Sequence, residues 1–216
     1  MDQAHQGNQS FPLTPVAKLL ETPAPREWLV WNYLPPASLC MLFGEPAAGK
    51  SLIALDWAAS IATGRPWCEQ RVMRGPVVYI AGEGHFGISR RLKAWGLHHD
   101  CEADLREAPL FVSEQGAAFT ESGSLERVRE AIEDVRARGN SPLLIVVDTL
   151  HRNLGPGDEN SSKDIAAFIQ AVDSLRHDYG ATVLIVHHTG HGASDRARGS
   201  SALRAAVDAE FRLGVE

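Results

Sequence analysis

The stretch GEPAAGKS, residues 44–51, decides the fold of this chain. It matches the pattern GxxxxGK(S/T) in full, between an apolar run at 39–43 and a helical pattern that begins at 52. A buried strand is therefore predicted to lead through a glycine-rich bend into a helix. Glycines let the backbone wrap closely around a phosphate group, and the amide hydrogens of the bend and of the helix start supply positive potential. The stretch predicts a phosphate-binding loop.

Particular side chains of this loop have separate expected roles. Lys50 can reach the β and γ phosphates of a nucleoside triphosphate, and Ser51 can ligate Mg²⁺. ATP and Mg²⁺ are therefore the expected cofactors. The alternative, a glycine-rich connection that carries a lysine by coincidence, leaves the flanking strand and helix unexplained. The expected nucleotide-binding residues are Gly44, Glu45, Pro46, Ala47, Ala48, Gly49, Lys50, Ser51 and Leu52.

Short apolar runs alternate with amphipathic stretches along the rest of the chain. Runs that are apolar on both faces suit buried parallel strands, and their alternation with helices predicts an α/β fold with a mostly parallel central sheet and helices on both faces. In such a sheet, ligands bind beyond the carboxyl ends of the strands. The predicted strands are 39–43, 77–81, 110–112, 143–147 and 182–186, and the predicted helices are 50–63, 87–97, 124–138 and 162–179.

Two carboxylates follow predicted strands. Asp148 comes directly after the run at 143–147, where it is expected to hold Mg²⁺ through a water molecule. Glu83 follows the run at 77–81. Because Thr149, and not a second carboxylate, follows Asp148, Glu83 is the expected catalytic group that orients the attacking water. The alternatives are an ordinary strand-end aspartate and a solvated loop glutamate.

Two histidines end the run at 182–186. Because successive side chains of a strand point to opposite faces, one of His187 and His188 should face the nucleotide, where it could sense the γ phosphate by donating a hydrogen bond. Nearby His191 makes a zinc cluster an alternative, which the lack of a cysteine or aspartate at ligand spacing disfavours. Residues 190–204 are glycine-rich and locally basic, so they could contact a DNA backbone or a neighbouring subunit's nucleotide, unless they form only a solvated loop.

Composition sets the remaining bounds. With 216 residues and 44% hydrophobic content, the chain is expected to form one domain, 26–216, after a flexible tail, 1–25. The net charge of -6 means that any nucleic-acid contact must come from local loops. No apolar run has the length of a membrane span, so no membrane partner is expected. The cysteines form no CxxC pair and are odd in number, which fits a reducing compartment, and a cytoplasmic location is expected.

Five motifs follow one another along the chain: GEPAAGKS, AGEG, LLIVVDTL, IVHHTG and ARGSSALRAAVD. Together they resemble the RecA-like P-loop ATPases, and most closely the hexameric replicative helicases of the plasmid RepA type, relatives of the DnaB group. The resemblance covers roughly 26–216. It implies a RecA-like ATPase domain that hydrolyses ATP with the help of Mg²⁺.

The resemblance also implies individual residue roles. It repeats the roles predicted above for Lys50, Ser51, Glu83 and Asp148. It implies that His188 senses the γ phosphate, with His187 beside it, and that Arg198 completes the active site of the adjacent subunit. Arg212 is a second candidate for that role. An arginine supplied in this way can raise the rate by roughly a thousandfold or more.

A hexameric ring that acts on single-stranded DNA follows from the same resemblance. Loops at 153–163 and 189–197 would line its central channel, although they carry few lysines and no aromatic side chains on which bases could stack. The chain ends at Glu216, where this family adds its last strands, and it has no primase or zinc domain, so a truncated or shortened homologue is expected. The leading hypothesis is an ATP-driven helicase or translocase in the replication of a plasmid, phage or other mobile element.

Two other functions share the phosphate-binding loop. A RecA-fold ATPase could act only as a nucleotide-dependent assembly or regulatory switch, which the acidic balance and the weak channel loops favour. A nucleotide kinase is the other alternative. It would need an arginine-rich lid, for which 87–95 is the only suggestive stretch.

Overall fold

The computed structural model describes residues 13–21, 27–82, 85–190, 193–197 and 201–214. In chain order its elements are α1 (Val16–Glu21), β1 (Leu39–Gly44), α2 (Lys50–Thr63), β2 (Val77–Ala81), α3 (His85–His98), α4 (Glu102–Glu107), β3 (Leu110–Val112), α5 (Ser124–Ala137), β4 (Leu144–Asp148), α6 (Leu150–Leu154), α7 (Ser162–Tyr179), β5 (Thr182–Gly190), β6 (Ala193–Ala197), α8 (Ser201–Ala206) and β7 (Ala209–Leu213).

One sheet organises these elements. Six of its strands run parallel in the order β3-β2-β4-β5-β1-β7, and β6 pairs with the end of β5 in the antiparallel direction. The crossovers between neighbouring parallel strands contain helices, as parallel pairing requires. The predicted α/β fold with a mostly parallel sheet is confirmed.

Both faces of the sheet are covered. On one face, here the α2 face, strand residues such as Leu42, Val146 and Val186 pack against α2 and against the segment at 29–34. On the other, here the α7 face, the intervening strand residues pack against α5, α7 and α8. Strands that are buried on both sides explain why the apolar runs of the sequence are continuous and do not alternate.

The predicted strands and long helices lie where the sequence placed them, with ends shifted by a few residues at most except in β5, which continues to Gly190. The strand β7 was not predicted. It pairs in parallel with β1, and its residues are only partly buried, because polar Glu210 and Arg212 alternate with Phe211 and Leu213. A short run of mixed polarity carries a weak strand signal.

The N-terminal part of the chain contains an exposed helix and a segment that packs on the domain. Within the predicted tail at 1–25, the helix α1 has no buried residue. The following segment packs on the domain, with Leu29, Val30 and Leu34 buried. Tyr33 contacts the rings of Trp57, Trp67 and Phe211, at centroid distances of 6.3, 4.9 and 6.4 Å.

Across the described ranges, no helix combines the length and hydropathy needed to cross a membrane.

The sheet register gathers the sequence-predicted positions at one edge. Gly44, which ends β1, pairs with His188, and Asp148, which ends β4, pairs with Ala81 and Val186. The carboxyl ends of four adjacent strands therefore meet where the loop at 44–51 begins. This is the position at which parallel sheets bind ligands.

The close approach of β7 to the loop generates a stability prediction. A Cβ added to Gly44 would lie far inside van der Waals contact with the backbone oxygen of Leu213. Gly44→Ala is therefore expected to displace β7 and to lower the free energy of unfolding by about 1–3 kcal/mol. Urea denaturation followed by circular dichroism measures the change.

The matched control is Gly87→Ala. Gly87 lies in α3, and a Cβ there would meet nothing within 4 Å. Alanine should raise the free energy of unfolding at this position by about 0.5–1 kcal/mol, because it favours a helix over glycine. Equal stability of Gly44→Ala and the unmodified chain would contradict the packing of β7 against β1.

Candidate functional site

The loop at 44–51 forms a turn between β1 and α2. Ala47 and Gly49 have positive φ angles of 62° and 94°, and Gly49 is the N-cap of α2 without any side-chain capping bond. The first amide groups of this 14-residue helix therefore receive no capping bond from their own N-cap side chain. With the helix dipole behind them, these amides favour an anion.

Lys50 lies at the centre of the loop and is 5% exposed. Its Nζ donates hydrogen bonds to the carbonyl oxygens of Gly44 and Glu45, at 3.0 and 2.7 Å. Burial lowers the pKa of Lys50, while the charge of the Asp148 carboxylate acts in the opposite direction. The ammonium group is thus held within the bend, where it can exchange these carbonyl acceptors for phosphate oxygens.

Ser51 and Asp148 meet although they lie far apart in sequence. The Ser51 hydroxyl donates to Asp148 Oδ1 at 3.1 Å. Asp148 is 8% exposed, at the end of the buried strand β4. A hydroxyl and a carboxylate in contact at the start of the helix form an oxygen donor set of the kind that Mg²⁺ prefers.

Tyr79 is a third member of this group that the sequence analysis missed. Its hydroxyl donates to Asp148 Oδ2 at 2.5 Å, and the residue is completely buried in β2. Burial, followed by the nearby charge of Asp148 and this hydrogen bond, raises the pKa of Tyr79 well above its usual value. The signal was a single hydroxyl within the apolar run at 77–81, since a buried tyrosine hydroxyl usually has a partner.

The two histidines of β5 take opposite faces, as the strand period predicted. His188 follows Val186 by two residues and shares the α2 face with Asp148. His187 is 1% exposed and comes two residues after Ile185, which packs on the α7 face, so His187 lies on that face too. Of the two, His188 is therefore the one on the side of the loop.

Other predicted residues lie elsewhere or outside the described part of the chain. Glu83, Arg198 and His191 fall outside the described residues. Arg212 is exposed on β7, between Phe211 and Leu213, whose side chains pack on the α2 face. Strand alternation therefore puts Arg212 on the opposite face from Ser51 and Asp148.

The two loops predicted to line a channel are partly regular structure. Asn153 and Leu154 belong to α6 and are buried, and the Asn153 side chain bonds the backbone of Ala117 and Thr149. In the stretch at 189–197, the end of β5 pairs with β6 as a hairpin. The exposed, irregular part of the first loop is therefore shorter than the sequence suggested.

A cavity of about 470 Å³ lies between α2 and α3 and was not predicted. Its wall begins at Leu52, the residue after Ser51. Asp56 anchors it by accepting hydrogen bonds from the indole nitrogens of Trp67 and Trp95, both at 2.7 Å. The remaining wall includes Arg91, Leu92, His98 and His99. The cavity thus has an aromatic lining, and one of its wall residues directly follows the loop in sequence.

Two further observations bear on metal and nucleotide binding. In the described part of the chain, no cluster of three or more His, Cys, Asp and Glu side chains could hold a metal ion by itself. This finding does not test the zinc alternative, because His191 lies outside the described residues. Thr149 Oγ1, next to Asp148, is buried without a hydrogen-bond partner among the described residues. An unsatisfied buried hydroxyl of this kind fits a site that completes itself with a polar ligand.

The strand, the glycine-rich loop and the helix that follows it define a P-loop nucleotide-binding fold. A model of a protein family described as an AAA domain (AAA_25) matches residues 7–194. The chain belongs to this family. Its sheet is consistent with a RecA-like P-loop NTPase, and it is a P-loop ATPase domain whose family implies ATP binding.

Proposed function

We propose that this chain is the Mg²⁺-dependent motor of a hexameric helicase or translocase of the RepA type, which acts on single-stranded DNA during replication of a plasmid, phage or other mobile element. The observation that carries the ATPase part is the contact of Ser51 with Asp148 beside the buried Lys50. The order of the five sequence motifs supports the helicase part.

The proposed binding roles follow from the geometry of the loop. Backbone amides of 44–52 and the Lys50 ammonium group hold the phosphates. Ser51 ligates Mg²⁺ directly and Asp148 holds it through water. The ion neutralises charge on the phosphates when it is bound. The Ser51 hydroxyl oxygen and Asp148 Oδ1 already lie 3.1 Å apart, so both are close to the position proposed for the ion.

The proposed catalytic roles belong to Glu83 and His188. Glu83 comes two residues after Ala81, and Ala81 pairs with Asp148 in the sheet. The chain therefore leaves β2 next to the proposed metal ligand, which is where a carboxylate could orient water for attack on the γ phosphate. His188 lies on the same face and would sense the γ phosphate by donating a hydrogen bond.

The nucleotide base is proposed to occupy the cavity between α2 and α3. Leu52 belongs both to the proposed phosphate-binding stretch and to the wall of this cavity. Arg91 also lines it, and its charge is close enough to the site to oppose the upward shift of the pKa of Tyr79. A guanidinium group can stack on a base and interact with its ring.

The proposed assembly places an arginine of one subunit at the nucleotide of the next. Arg198 is the first candidate. Arg212 is the second, and its position on the α7 face supports a role only in trans, because it points away from its own loop. Single-stranded DNA is the proposed partner of the resulting ring.

An assembly or regulatory switch is the second candidate function. Exposed Asp158 and buried Glu159 lie in the loop proposed to face DNA, and the Glu159 carboxylate lies 3.4 Å from His151 Nδ1. Such a loop binds a polyanion poorly. A nucleotide kinase has less support, because the stretch proposed as its lid, 87–95, is a continuous part of α3.

Hydrolysis is tested with two substitutions. Lys50→Ala should reduce Mg²⁺-dependent ATP hydrolysis to background because it removes the charge that holds the phosphates. Glu83→Gln should do the same while it still binds ATP. Lys93→Ala on α3 and Glu130→Gln on α5, both at exposed positions, are the matched controls and should hydrolyse normally. Normal hydrolysis by Glu83→Gln would remove the role assigned to Glu83.

The base position is tested with neighbouring arginines of α3. Arg91→Ala should weaken ATP binding by about threefold to thirtyfold, which is the range of a cation–π contact. Inorganic tripolyphosphate, which has no base, should bind as before. Arg90→Ala is the control, since Arg90 is exposed and does not line the cavity. An equal loss for ATP and tripolyphosphate would place Arg91 at the phosphates.

Assembly is tested by complementation between subunits. Arg198→Ala should bind nucleotide but hydrolyse about a thousandfold more slowly, which is the effect expected of an arginine supplied in trans. Mixing it with Lys50→Ala subunits should restore part of the rate, because each variant supplies what the other lacks. Mass measurement with and without ATP should show a ring, and single-stranded DNA should stimulate hydrolysis. Failure to complement would leave Arg198 without a role across the interface, and a ring that DNA does not stimulate would favour the switch.

A further inference from the structure

Tyr79 is placed so that it acts on the proposed metal site through Asp148. We propose that Tyr79 is a positioning residue: its hydroxyl holds the Asp148 carboxylate in the orientation that directs Oδ1 toward Ser51 and the Mg²⁺ of a bound nucleotide. This inference rests on the proposed function, since it requires that the site binds ATP with Mg²⁺. It assigns Tyr79 a part in metal affinity and not in the chemical step.

The two oxygens of Asp148 have donors on different elements. Oδ2 accepts from the Tyr79 hydroxyl of β2 at 2.5 Å, and Oδ1 accepts from the Ser51 hydroxyl of α2 at 3.1 Å. Rotation of an aspartate carboxylate about its last torsion is only weakly restricted by the side chain itself. A short bond at one oxygen therefore decides which way the other oxygen faces.

The register of β2 and β4 fixes the direction from which the Tyr79 hydroxyl approaches Asp148. Tyr79 is paired with Val146, two residues before Asp148, while Asp148 itself is paired with Ala81. The tyrosine ring therefore spans a diagonal between adjacent strands on the α2 face, a distance that aromatic side chains can bridge. Because Tyr79 is completely buried among packed residues, its ring has little freedom to move away.

A residue that hydrogen-bonds a metal-binding group can change the affinity of the site for the metal, although it does not touch the metal itself. Loss of a hydrogen bond to a direct metal ligand typically costs about 10–100-fold in metal affinity or activity, and the effect here should lie at or below the lower end of that range because Asp148 holds the ion through water. An O–H to carboxylate bond is charge-assisted and belongs to the stronger class of hydrogen bonds. Removal of the Tyr79 hydroxyl alone should therefore change the Mg²⁺ requirement of nucleotide binding without removing any group that touches the nucleotide.

The experiment compares Tyr79→Phe with the unmodified chain in a titration of a fluorescent ATP analogue. Phenylalanine keeps the ring and its packing. At fixed nucleotide, the Mg²⁺ concentration for half-maximal binding should rise by about threefold to tenfold. Binding in EDTA should stay within about twofold of the unmodified chain, since the phosphate contacts are intact; a merely structural tyrosine would leave the Mg²⁺ requirement unchanged, and that result overturns the proposal.

Tyr179→Phe is the matched control. The Tyr179 hydroxyl donates to the carbonyl oxygen of Arg129 at 3.4 Å, far from the loop in the fold, and its loss should leave the Mg²⁺ requirement unchanged. A double-substitution cycle adds specificity. In an Asp148→Asn background, Tyr79→Phe should produce little further change, because the two act through one contact. Additive effects would show that Tyr79 acts by another route.

A second measurement does not depend on the stability of Tyr79→Phe. The chain has three tyrosines, so Tyr33→Phe and Tyr179→Phe together leave Tyr79 as the single site for 3-fluorotyrosine. Its fluorine resonance should shift when Mg²⁺ is added to the ATP-bound protein, and the absence of a shift overturns the proposal. Failure of the unmodified chain to bind ATP at millimolar concentration would instead remove the proposed function, and binding that ignores Mg²⁺ would remove its metal site.

Discussion

The contact between Ser51 and Asp148 is the constraint on which the site depends. It joins the first turn of α2 to the end of β4, across a gap of 97 positions in the sequence. Two features must hold for it to form: the loop must turn tightly enough to start α2 over the sheet, and β4 must lie near β1. The strand order, in which β5 alone separates β4 from β1, satisfies the second. The strand order is therefore as necessary for the site as the loop, because it brings Asp148 to Ser51.

Parallel register explains why so few residues are needed. The ladder pairs Gly44 with His188 and Ala81 with Asp148, and Asp148 is level with Val186, two residues before His188, so all four lie close to one edge of the sheet. Burial of the strands on both faces then fixes these ends in place, since a slip of one residue would turn the apolar side chains toward the wrong layer. Because the strand ends are fixed in place, the short side chains of Ser51 and Asp148 can meet at the edge of the sheet. The orientation of each carboxylate and hydroxyl is decided by its neighbours in the sheet.

Much of this could be read from the sequence, for identifiable reasons. Long apolar runs beside the loop at 44–51 predicted β1, β4 and β5, and Asp148 was found because it follows such a run. Tyr79 was missed because a hydroxyl in an apolar strand has no periodic signal, and its partner is 69 positions away. The cavity between α2 and α3 was missed for a similar reason: Trp67, Trp95 and Asp56 meet only after folding. Strand β7 was too short and too mixed in polarity to be recognised.

The aromatic cluster around Trp57 has a mechanical consequence. Rings from the segment at 29–34, from the connection after α2 and from β7 enclose this side chain, with Trp67 and Phe211 each 5.4 Å away. The middle of α2 is thereby packed against three other parts of the chain, of which 29–34 and β7 are remote from it in sequence. A helix packed in this way has little freedom to tilt, so a structural change on nucleotide binding is expected in the segments that leave the strand ends and not in α2.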